Sequence, residues 1–464
     1  MSCRNAHRLN QIVSAFLDRH KLLDPNPSWL IQESSLGGFG VFATRDIEAG
    51  EVIFQDFPVI LGPRCLPNGP RVCVVCYSNK TLGPCKRVCG LDVCGEECQN
   101  SLAHRKECEL VRQCSPPGIR IFENLTPIRS LLLDENDKEV VNCLIAHDRD
   151  EHGHEVTTLK KLGCQFKEDD EKFMRFVCCV LDANAFEVAL EQNNIRGLYP
   201  LASLGNHSCA PNSTYVFNKS HHMLVKASLF IPKGSEIFYS YTRLIWGTPS
   251  RLYHLYRTKH FVCKCSRCRD PTEFGTYMGG ILCKICRGIV VPLNPYKTHA
   301  RWQCQDCKRV ILGKETGELL RLLGVILRDI RQDDFPFMYK FLNGKLRSVV
   351  PENNQVAVQV KYKIIKVLGH LYPWNELTEE MLKIKETLCL DLLGLLEQLR
   401  CGKSKMRGLL LYELFCCKRE SNTRASKGIL DPETEGLLKE AASILEYDAN
   451  APQEIKCYLD NKTV

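Results

Sequence analysis

The sequence has no apolar run of the roughly 18 residues that a helix needs to cross a bilayer. Residues 1–14 also contain no secretory h-region, because they are polar and include Arg4 and Arg8. A large excess of one charge is missing too, since 62 Lys and Arg residues stand against 54 Asp and Glu residues. The mild basic bias is typical of a solvated surface. We therefore expect a protein of the cytoplasm and nucleus with no membrane partner.

No segment with helical periodicity carries a dense face of Arg and Lys, so direct nucleic-acid binding is disfavoured. The chain does have the composition of a globular protein, with 44% hydrophobic and 25% charged residues over 464 positions. A chain of this length has room for roughly two to four domains. We expect it to act as a monomer.

Cysteine is abundant, with 27 residues in the chain. In a reducing compartment such a number favours metal binding over disulfides. Close pairs of cysteines recur between Cys73 and Cys307, and zinc is the ion that four thiolate or imidazole ligands suit best. Outside these clusters we expect the cysteines to be small buried hydrophobic residues, among them Cys178, Cys179, Cys416 and Cys417.

The cysteine spacing predicts four zinc ions. Eight ligand-type side chains form a first cluster that is large enough for two tetrahedral sites: Cys73, Cys76, Cys85, Cys89, Cys94, Cys98, His104 and Cys108. A self-sufficient set with the spacing of a zinc ribbon follows later: Cys283, Cys286, Cys304 and Cys307. Between them, Cys263, Cys265 and Cys268 form a triad that is one ligand short, so a distant cysteine has to complete it.

One stretch, Asn206-His207-Ser208-Cys209-Ala210-Pro211-Asn212, resembles a motif of SET-domain methyltransferases. Gly234-Ser235-Glu236-Ile237 and Tyr241 follow at the expected place, and Gly38-Phe39-Gly40 precedes them. The later cysteine triad is similar to a post-SET zinc site, and the first cluster is similar to a MYND finger. In this order the motifs resemble the SET and MYND domain-containing family of protein-lysine methyltransferases.

The resemblance implies an α+β fold in which a MYND zinc finger splits the SET domain. It divides the chain into a helical lead-in (1–26), the first part of the SET domain (27–62), the MYND finger (63–115), a helical insert (116–190), the second part of the SET domain (191–242), a post-SET and extra zinc module (243–312) and a C-terminal helical domain (313–464). The ligand pairing is also implied by the resemblance. Cys73, Cys76, Cys94 and Cys98 hold one ion, Cys85, Cys89, His104 and Cys108 hold another, and Cys209 completes the triad.

The resemblance further implies S-adenosylmethionine as cofactor and Tyr241 as the catalytic residue. Residues implied to bind the cofactor are Gly38, Phe39, Gly40, Asn184, Asn206, His207 and Phe261. Phe186 and Lys259 correspond to the walls of the substrate-lysine channel. From the residues alone, Tyr239 and Tyr241 alternate along a strand and share one face, and Tyr239 fits a core residue with a bonded hydroxyl.

Two functions are weighed against each other. The first is an S-adenosylmethionine-dependent protein-lysine methyltransferase acting on histone or non-histone protein, with a regulatory role in transcription. The alternative is an adaptor whose MYND finger recruits proline-containing peptides and whose SET domain is weak or inactive. Lys259 favours the adaptor, because family members usually have an aromatic residue there and a cation in a dry channel repels the incoming amine.

Overall fold

The computed structural model describes residues 5–63, 71–112, 114, 119–146, 153–190, 193–297, 300–331, 333–425 and 431–461. Within these ranges, no helix is long and apolar enough to span a membrane. The chain opens with helix α1 (Ala6–Arg19), where the Asn5 side chain accepts a hydrogen bond from the backbone N–H of Arg8 at 2.7 Å. Four strands follow: β1 (Trp29–Glu33), β2 (Phe39–Ala43), β3 (Val52–Asp56) and β4 (Ile60–Pro63).

The cysteine-rich segment has little regular structure. It consists of β5 (Gly83–Pro84), β6 (Asp92–Val93), α2 (Glu96–Asn100) and α3 (Leu102–Val111). Its small core contains Val74, Leu91, Val93 and Val111 beside buried cysteines. So few large apolar side chains cannot stabilise a module of this size, and metal ligation has to supply the rest.

A helical region follows and ends beside the site. Its helices are α4 (Ile119–Glu123), α5 (Leu125–Ser130), α6 (Glu135–Asn142), α7 (His154–Lys161) and α8 (Glu168–Asn184). Four acidic residues, 168–171, occupy the first turn of α8, where carboxylates interact favourably with the helix dipole.

The segment after α8 is built from short strands: β7 (Phe186–Leu190), β8 (Asn193–Leu198), β9 (Asn206–His207), β10 (Ser213–Phe217), β11 (Met223–Ala227) and β12 (Phe238–Tyr239). The sheet order is β10-β11-β3 in one sheet and β4-β8-β7 in another, so both sheets join segments that lie on either side of the zinc finger. Strand β10 pairs with β11 in antiparallel orientation, with Phe217 opposite Met223. Strands β9 and β12 pair in parallel, which places Asn206 and His207 beside Phe238 and Tyr239.

Helices α9 (Thr248–Lys259) and α10 (Ser266–Arg269) lead into a four-stranded antiparallel ribbon. Its strands, in spatial order, are β13 (Ile281–Leu282), β14 (Ile289–Pro292), β15 (Trp302–Cys304) and β16 (Val310–Ile311).

The remainder is helical: α11 (Gly313–Asp329), α12 (Phe335–Phe341), α13 (Gln355–Val367), α14 (Glu379–Gln398), α15 (Lys405–Arg424), α16 (Pro432–Leu445) and α17 (Gln453–Asp460). Thr378 and Asp431 are the N-caps of α14 and α16, where their side chains accept hydrogen bonds from the backbone N–H groups of Met381 and Thr434. The loop between α14 and α15 contacts the residue after β11 through the backbone hydrogen bond from Lys403 N to Ser228 O at 2.8 Å.

The expectation for the remaining cysteines holds only in part. Cys178, Cys179, Cys416 and Cys417 are buried in helices, as expected. Cys457, however, is exposed, so the expectation of a small buried hydrophobic residue is wrong there. Cys114 and Cys164 form a disulfide, so the expectation is also wrong for these two. They are 50 residues apart in sequence, and only the packing of the segment after α3 against the turn after α7 brings them together.

Candidate active site

All four predicted zinc-ligand sets come together. In each set the ligand atoms lie within 4.8 Å of one another, and one of them joins Cys209 to Cys263, Cys265 and Cys268 across the chain. Sulfur pairs such as Cys76–Cys94 at 3.4 Å and Cys283–Cys307 at 3.8 Å are close to the roughly 3.8 Å that a tetrahedral zinc ion with bonds of about 2.3 Å requires. The donor chemistry and spacing therefore fit zinc at all four sets.

The histidine-containing set is supported by a buried polar chain. His104 Nε2 lies 3.2 Å from Cys85 Sγ, and its Nδ1 lies 3.2 Å from a carboxylate oxygen of Glu107. Arg129 donates from Nε to Glu107 at 2.7 Å and from a terminal nitrogen to the Val74 carbonyl at 2.8 Å. A carboxylate behind a ligating histidine fixes the ring and raises its basicity. Arg129 thus connects the zinc finger to the helical region.

The set completed by Cys209 has two fully buried arginines beside it. Arg251 donates to Glu273 at 2.7 Å and lies 3.6 Å from Cys268 Sγ, while Arg267 donates to the same carboxylate at 3.2 Å. A zinc ion with four thiolates carries a net charge of about −2, which is costly to bury without cations nearby. The two arginines and one glutamate leave one positive charge to compensate it.

On one side of the site, the polar groups around Asn206 form a hydrogen-bond network. Asn206 Nδ2 donates to the Phe39 carbonyl at 3.0 Å and to Glu236 Oε1 at 2.7 Å, and Ser34 Oγ donates to Glu236 Oε2 at 2.9 Å. A Cβ atom on Gly40 would stand 2.2 Å from Glu236 Oε1, so a larger residue there would displace the carboxylate from Asn206. We call Ser34, Phe39, Gly40, Asn206 and Glu236 the donor half of the site.

The turn before β2 also depends on glycine. Gly37 and Gly38 have φ values of 97° and 68°, and the space where a Cβ would stand is open at both positions. Glycine adopts this left-handed conformation without steric cost and leaves the backbone accessible to a ligand. The turn is closed by hydrogen bonds of 3.0 Å from Gly37 N to Ser34 O and from Ser34 N to Gly38 O.

His207 lies between the predicted catalytic residue and a zinc ligand. Its Nδ1 accepts a hydrogen bond from the backbone N–H of Tyr241 at 2.9 Å, so the proton of the neutral ring is on Nε2, which lies 3.2 Å from Cys209 Sγ. Burial lowers the pKa of His207 to about 4. The Phe261 ring centroid is 5.9 Å from that of His207, so three of the residues predicted around the cofactor, Asn206, His207 and Phe261, are neighbours.

Tyr241 is held at both ends. Its hydroxyl donates to the Gly205 carbonyl at 2.6 Å, and its backbone N–H is bound by His207. Burial raises the pKa of the Tyr241 hydroxyl above its ordinary value, so the group is a neutral phenol. The hydroxyl is therefore a fixed hydrogen-bonding group at the junction of β9 and β12.

Beside Tyr241, aromatic rings from several strands meet. The Phe186 ring lies 5.2 Å from that of Tyr215 and 6.4 Å from that of Tyr239, both nearly edge to face. Tyr239 is buried, as expected, but its hydroxyl has no hydrogen-bond partner among the described residues, so the expectation of a bonded hydroxyl is wrong. We call Phe186, Tyr199, Tyr215 and Tyr239 the aromatic half of the site.

Lys259 and Asn184 meet at the C-terminal end of α8. Lys259 Nζ donates to the Ala183 carbonyl at 2.7 Å and lies 5.8 Å from the centroid of the Tyr241 ring. Cations are favourable at a helix C-terminus, which accounts for a lysine in this position. Asn184 Nδ2 donates to the carbonyls of Val180 at 2.7 Å and Ile145 at 2.6 Å, so the amide N–H groups of Asn184 are bound by the protein itself.

The sequence did not reveal several residues of the site. Glu236 lies in the Gly234–Ile237 motif, but its contacts with Gly40 and Asn206 form only when three distant segments meet. Tyr199 and Tyr215 belong to separate strands. The alternation of Tyr215 with Phe217 on β10 was the one signal that aromatic side chains share a face there.

Comparison with known proteins agrees with this geometry. The family model of the SET domain matches residues 38–242. The Drosophila melanogaster SET domain-containing protein SmydA-8, isoform A, is 30% identical over 438 residues, which cover 89% of this chain and 93% of that protein. Histone-lysine N-methyltransferase ASHR1 of Arabidopsis thaliana is 31% identical over 266 residues, or 50% of this chain and 53% of that protein. Histone-lysine N-methyltransferase SMYD3 of Mus musculus is 25% identical over 300 residues, 57% of this chain and 68% of that protein.

The fold and the matched residues define a SET domain of the methyltransferase class. The chain belongs to the SET and MYND domain-containing family of protein-lysine methyltransferases. The cofactors of the family fit the residues present. The four Cys and His sets bind zinc, and the open glycine turn beside Asn206 and His207 suits S-adenosylmethionine.

Proposed function

We propose that this chain transfers methyl groups from S-adenosylmethionine to lysine side chains of histone or non-histone proteins. The observation that carries the proposal is the position of Tyr241. Its hydroxyl is bound by the Gly205 carbonyl and its backbone N–H by His207, at the boundary between the donor half and the aromatic half. A hydrogen-bonding group fixed at that boundary can orient an amine that enters along the aromatic rings.

The reaction needs a neutral amine, and the aromatic half favours one. In water at pH 7 only roughly one lysine in 2,500 is deprotonated, a deficit of about 4.6 kcal/mol. Phe186, Tyr215 and Tyr239 surround the approach with apolar ring surface, and desolvation there lowers the pKa of a bound ammonium group. The released proton passes to solvent before transfer.

Positioning supplies the rest of the catalysis. When bound, S-adenosylmethionine would offer its sulfonium methyl to the amine lone pair, so that the N–C bond would form as the S–C bond broke and S-adenosylhomocysteine left. Ser34, Gly40, Asn206 and Glu236 give the donor half one rigid arrangement, because each polar atom that joins them is hydrogen bonded. Tyr241 fixes the amine relative to that half, and effective molarities from such alignment are large.

The test is transfer of label. Zinc-loaded protein incubated with radiolabelled S-adenosylmethionine and a proteome extract is expected to label proteins on lysine, and Tyr241→Phe protein is expected not to. Calorimetric titration of S-adenosylmethionine on both proteins separates binding from transfer. Binding by both proteins with transfer by neither would overturn the proposed activity.

One observation favours a second candidate function. In this function the chain is an adaptor that binds proline-containing peptides of transcriptional partners in the cytoplasm and nucleus. Val88 and Leu102 are 77% and 69% exposed in the zinc finger; Val88 directly precedes the ligand Cys89, and Leu102 lies two residues before the ligand His104. Exposed apolar side chains on a small rigid module are typical of a docking surface. Proline-rich peptides that bind the wild type but not Val88→Ser/Leu102→Ser protein, in the absence of any methyl transfer, would favour this candidate.

A further inference from the structure

The ribbon formed by β13–β16 carries much of the positive charge of the protein. Residues 281–314 contain seven Lys and Arg residues and one carboxylate, that of Asp306, an excess of six in a chain whose formal net charge is +8. Even with the charge of about −2 on a zinc ion held by four thiolates, this segment stays basic. Among the described residues, none of the seven cations has a salt bridge, so the charge is not neutralised within the structure.

Four of these seven cations lie at the metal end of the ribbon. Cys283 and Cys286 lie in one turn and Cys304 and Cys307 in another, and the four ligand atoms lie within 4.8 Å of one another. The two turns therefore sit side by side. The exposed cations and apolar residues on or directly after these turns are Lys284, Ile285, Arg287, Lys308, Arg309 and Val310, which we call the ribbon surface. The exposed Asp306 carboxylate lies in the second turn and offsets one of the four positive charges.

Part of the ribbon surface is held in place. Arg287 donates to the backbone carbonyls of Arg347, at 3.2 Å, and Ser348, and Lys308 donates to the Gln305 carbonyl at 2.6 Å. The Leu282 N–H donates to the Val349 carbonyl at 2.8 Å, so the ribbon is fixed to the C-terminal helical region. Cations restrained in this way lose less conformational entropy when they bind an anion.

Apolar side chains lie among the cations. Ile285 is 66% exposed and Val310 is 45% exposed, and neither is a ligand. Over residues 281–297 and 300–314 no aromatic side chain is exposed, because Trp302 is buried and Tyr296 is partly buried. Single-stranded nucleic acid binds through exposed aromatic rings, and a phosphate backbone leaves aliphatic side chains in water. A peptide that alternates acidic and apolar residues satisfies both the charge and the aliphatic groups.

We propose that the ribbon surface docks an acidic, amphipathic peptide segment of a partner protein. This inference goes beyond the proposed methyl transfer, because the ribbon surface contains none of the residues assigned to the site. Acidic residues of the partner pair with Lys284, Arg287, Lys308 and Arg309. Its apolar residues cover Ile285 and Val310.

The experiment measures fluorescence anisotropy of zinc-loaded full-length protein with a short labelled peptide in which Asp and Glu alternate with Leu and Phe. The same residues arranged in one acidic and one apolar block form the control peptide, and single-stranded RNA and duplex DNA are competitors. The wild-type protein is expected to bind the alternating peptide, with an affinity that falls as the salt concentration rises. The Lys284→Glu/Lys308→Glu protein is expected to bind it about tenfold or more weakly. Ile285→Ser is expected to weaken binding of the alternating peptide more than binding of the block peptide.

Lys219→Glu/Lys233→Glu is the matched control, because both lysines are exposed in loops between SET strands and neither belongs to the ribbon. It is expected to leave binding within about twofold, since exposed charges distant from the contact are screened. All proteins must retain four zinc ions. Lys284→Gln/Lys308→Gln replaces the charge-reversal protein if that one loses metal.

Three results would overturn the proposal. One is no binding of the alternating peptide by metal-loaded wild type. Another is equal loss of binding in the control pair. The third is tighter binding of RNA or DNA than of peptide, abolished by Lys284→Glu/Lys308→Glu, which would assign the ribbon surface to nucleic acid instead.

Discussion

The donor half and the aromatic half of the site differ in how their polar atoms are satisfied. In the donor half, Asn206, Glu236 and Ser34 bind one another and the Phe39 carbonyl within 3.0 Å. In the aromatic half, the buried Tyr239 hydroxyl has no partner among the described residues. A buried polar atom without a partner costs roughly 1–3 kcal/mol, and a site tolerates that cost most readily where a ligand is to be received. The donor half is therefore preformed, whereas the aromatic half is completed by what enters it.

The largest effect is expected from a variant that removes a ligand of the zinc set on which both halves of the site depend. Cys209 lies two residues after His207 and ligates with the triad that follows Phe261. Cys209→Ser is expected to release one of four zinc ions and to abolish transfer, because a structural zinc site contributes about 10 kcal/mol or more to folding of its module. Elemental analysis of purified protein checks the metal content.

Its control is Cys417→Ser. The Cys417 thiol is buried, donates to the Leu382 carbonyl at 3.2 Å and is no ligand, so a serine hydroxyl can keep that hydrogen bond. Four zinc ions should remain in this variant. If Cys209→Ser protein also retains four, the site that spans the chain is wrong.

The next variant distinguishes the roles of the two halves, because it is expected to impair methyl transfer and to spare cofactor binding. Tyr241→Phe removes only the hydroxyl that donates to Gly205 and leaves the donor half intact. Loss of one well-placed hydrogen-bonding group in an active site lowers kcat by about 100- to 1,000-fold. Single-turnover transfer to a labelled lysine peptide measures this effect. Affinity for S-adenosylmethionine, measured by calorimetry, should stay within about threefold of wild type, and a larger loss would show that the halves are not separate.

The sequence predicted the donor half better than the aromatic half, for a physical reason. Residues such as Gly38, Gly40, Asn206 and Cys209 act through backbone conformation, close approach or metal ligation, each of which accepts very few residue types. Such constraints leave motifs that can be read without coordinates. The same holds for the helix caps at Thr378 and Asp431, where the local chemistry of the cap decides the boundary.

The aromatic half depends instead on packing between distant strands. Any large apolar side chain of suitable volume can fill a core, so the sequence gives little indication that Phe186, Tyr199 and Tyr215 meet. The Cys114–Cys164 disulfide was missed for a similar reason, because neither cysteine belongs to a close pair. The direction of the Lys259 side chain also depends on the end of α8, which no local motif encodes.

A smaller effect tests the donor half alone. Asn206→Ala removes the amide that joins the Phe39 carbonyl to Glu236, and is expected to weaken S-adenosylmethionine binding by roughly 1.5–3 kcal/mol. Asn184→Ala is the informative comparison, because the Asn184 amide already donates to two protein carbonyls. Asn184→Ala should lower the affinity for S-adenosylmethionine less than Asn206→Ala does. Calorimetry that ranks the two variants in the opposite order would place the amino-acid end of the cofactor at Asn184.

The smallest effect concerns Lys259, where the sequence and the structure lead to different expectations. A lysine that obstructs the channel would repel the incoming amine, and its removal would raise transfer about tenfold, or 1.4 kcal/mol. In the structure, Lys259 Nζ donates to the Ala183 carbonyl at the end of α8. Lys259→Met is therefore expected to change transfer by less than about threefold and to lower stability by about 0.3–1 kcal/mol, the usual size of a cation's interaction with a helix C-terminus. Urea unfolding and initial rates measure the two quantities, with exposed Lys219→Met as the matched control. A tenfold rise in transfer without loss of stability would mean that Lys259 faces the substrate and that the aromatic half is closed by a cation.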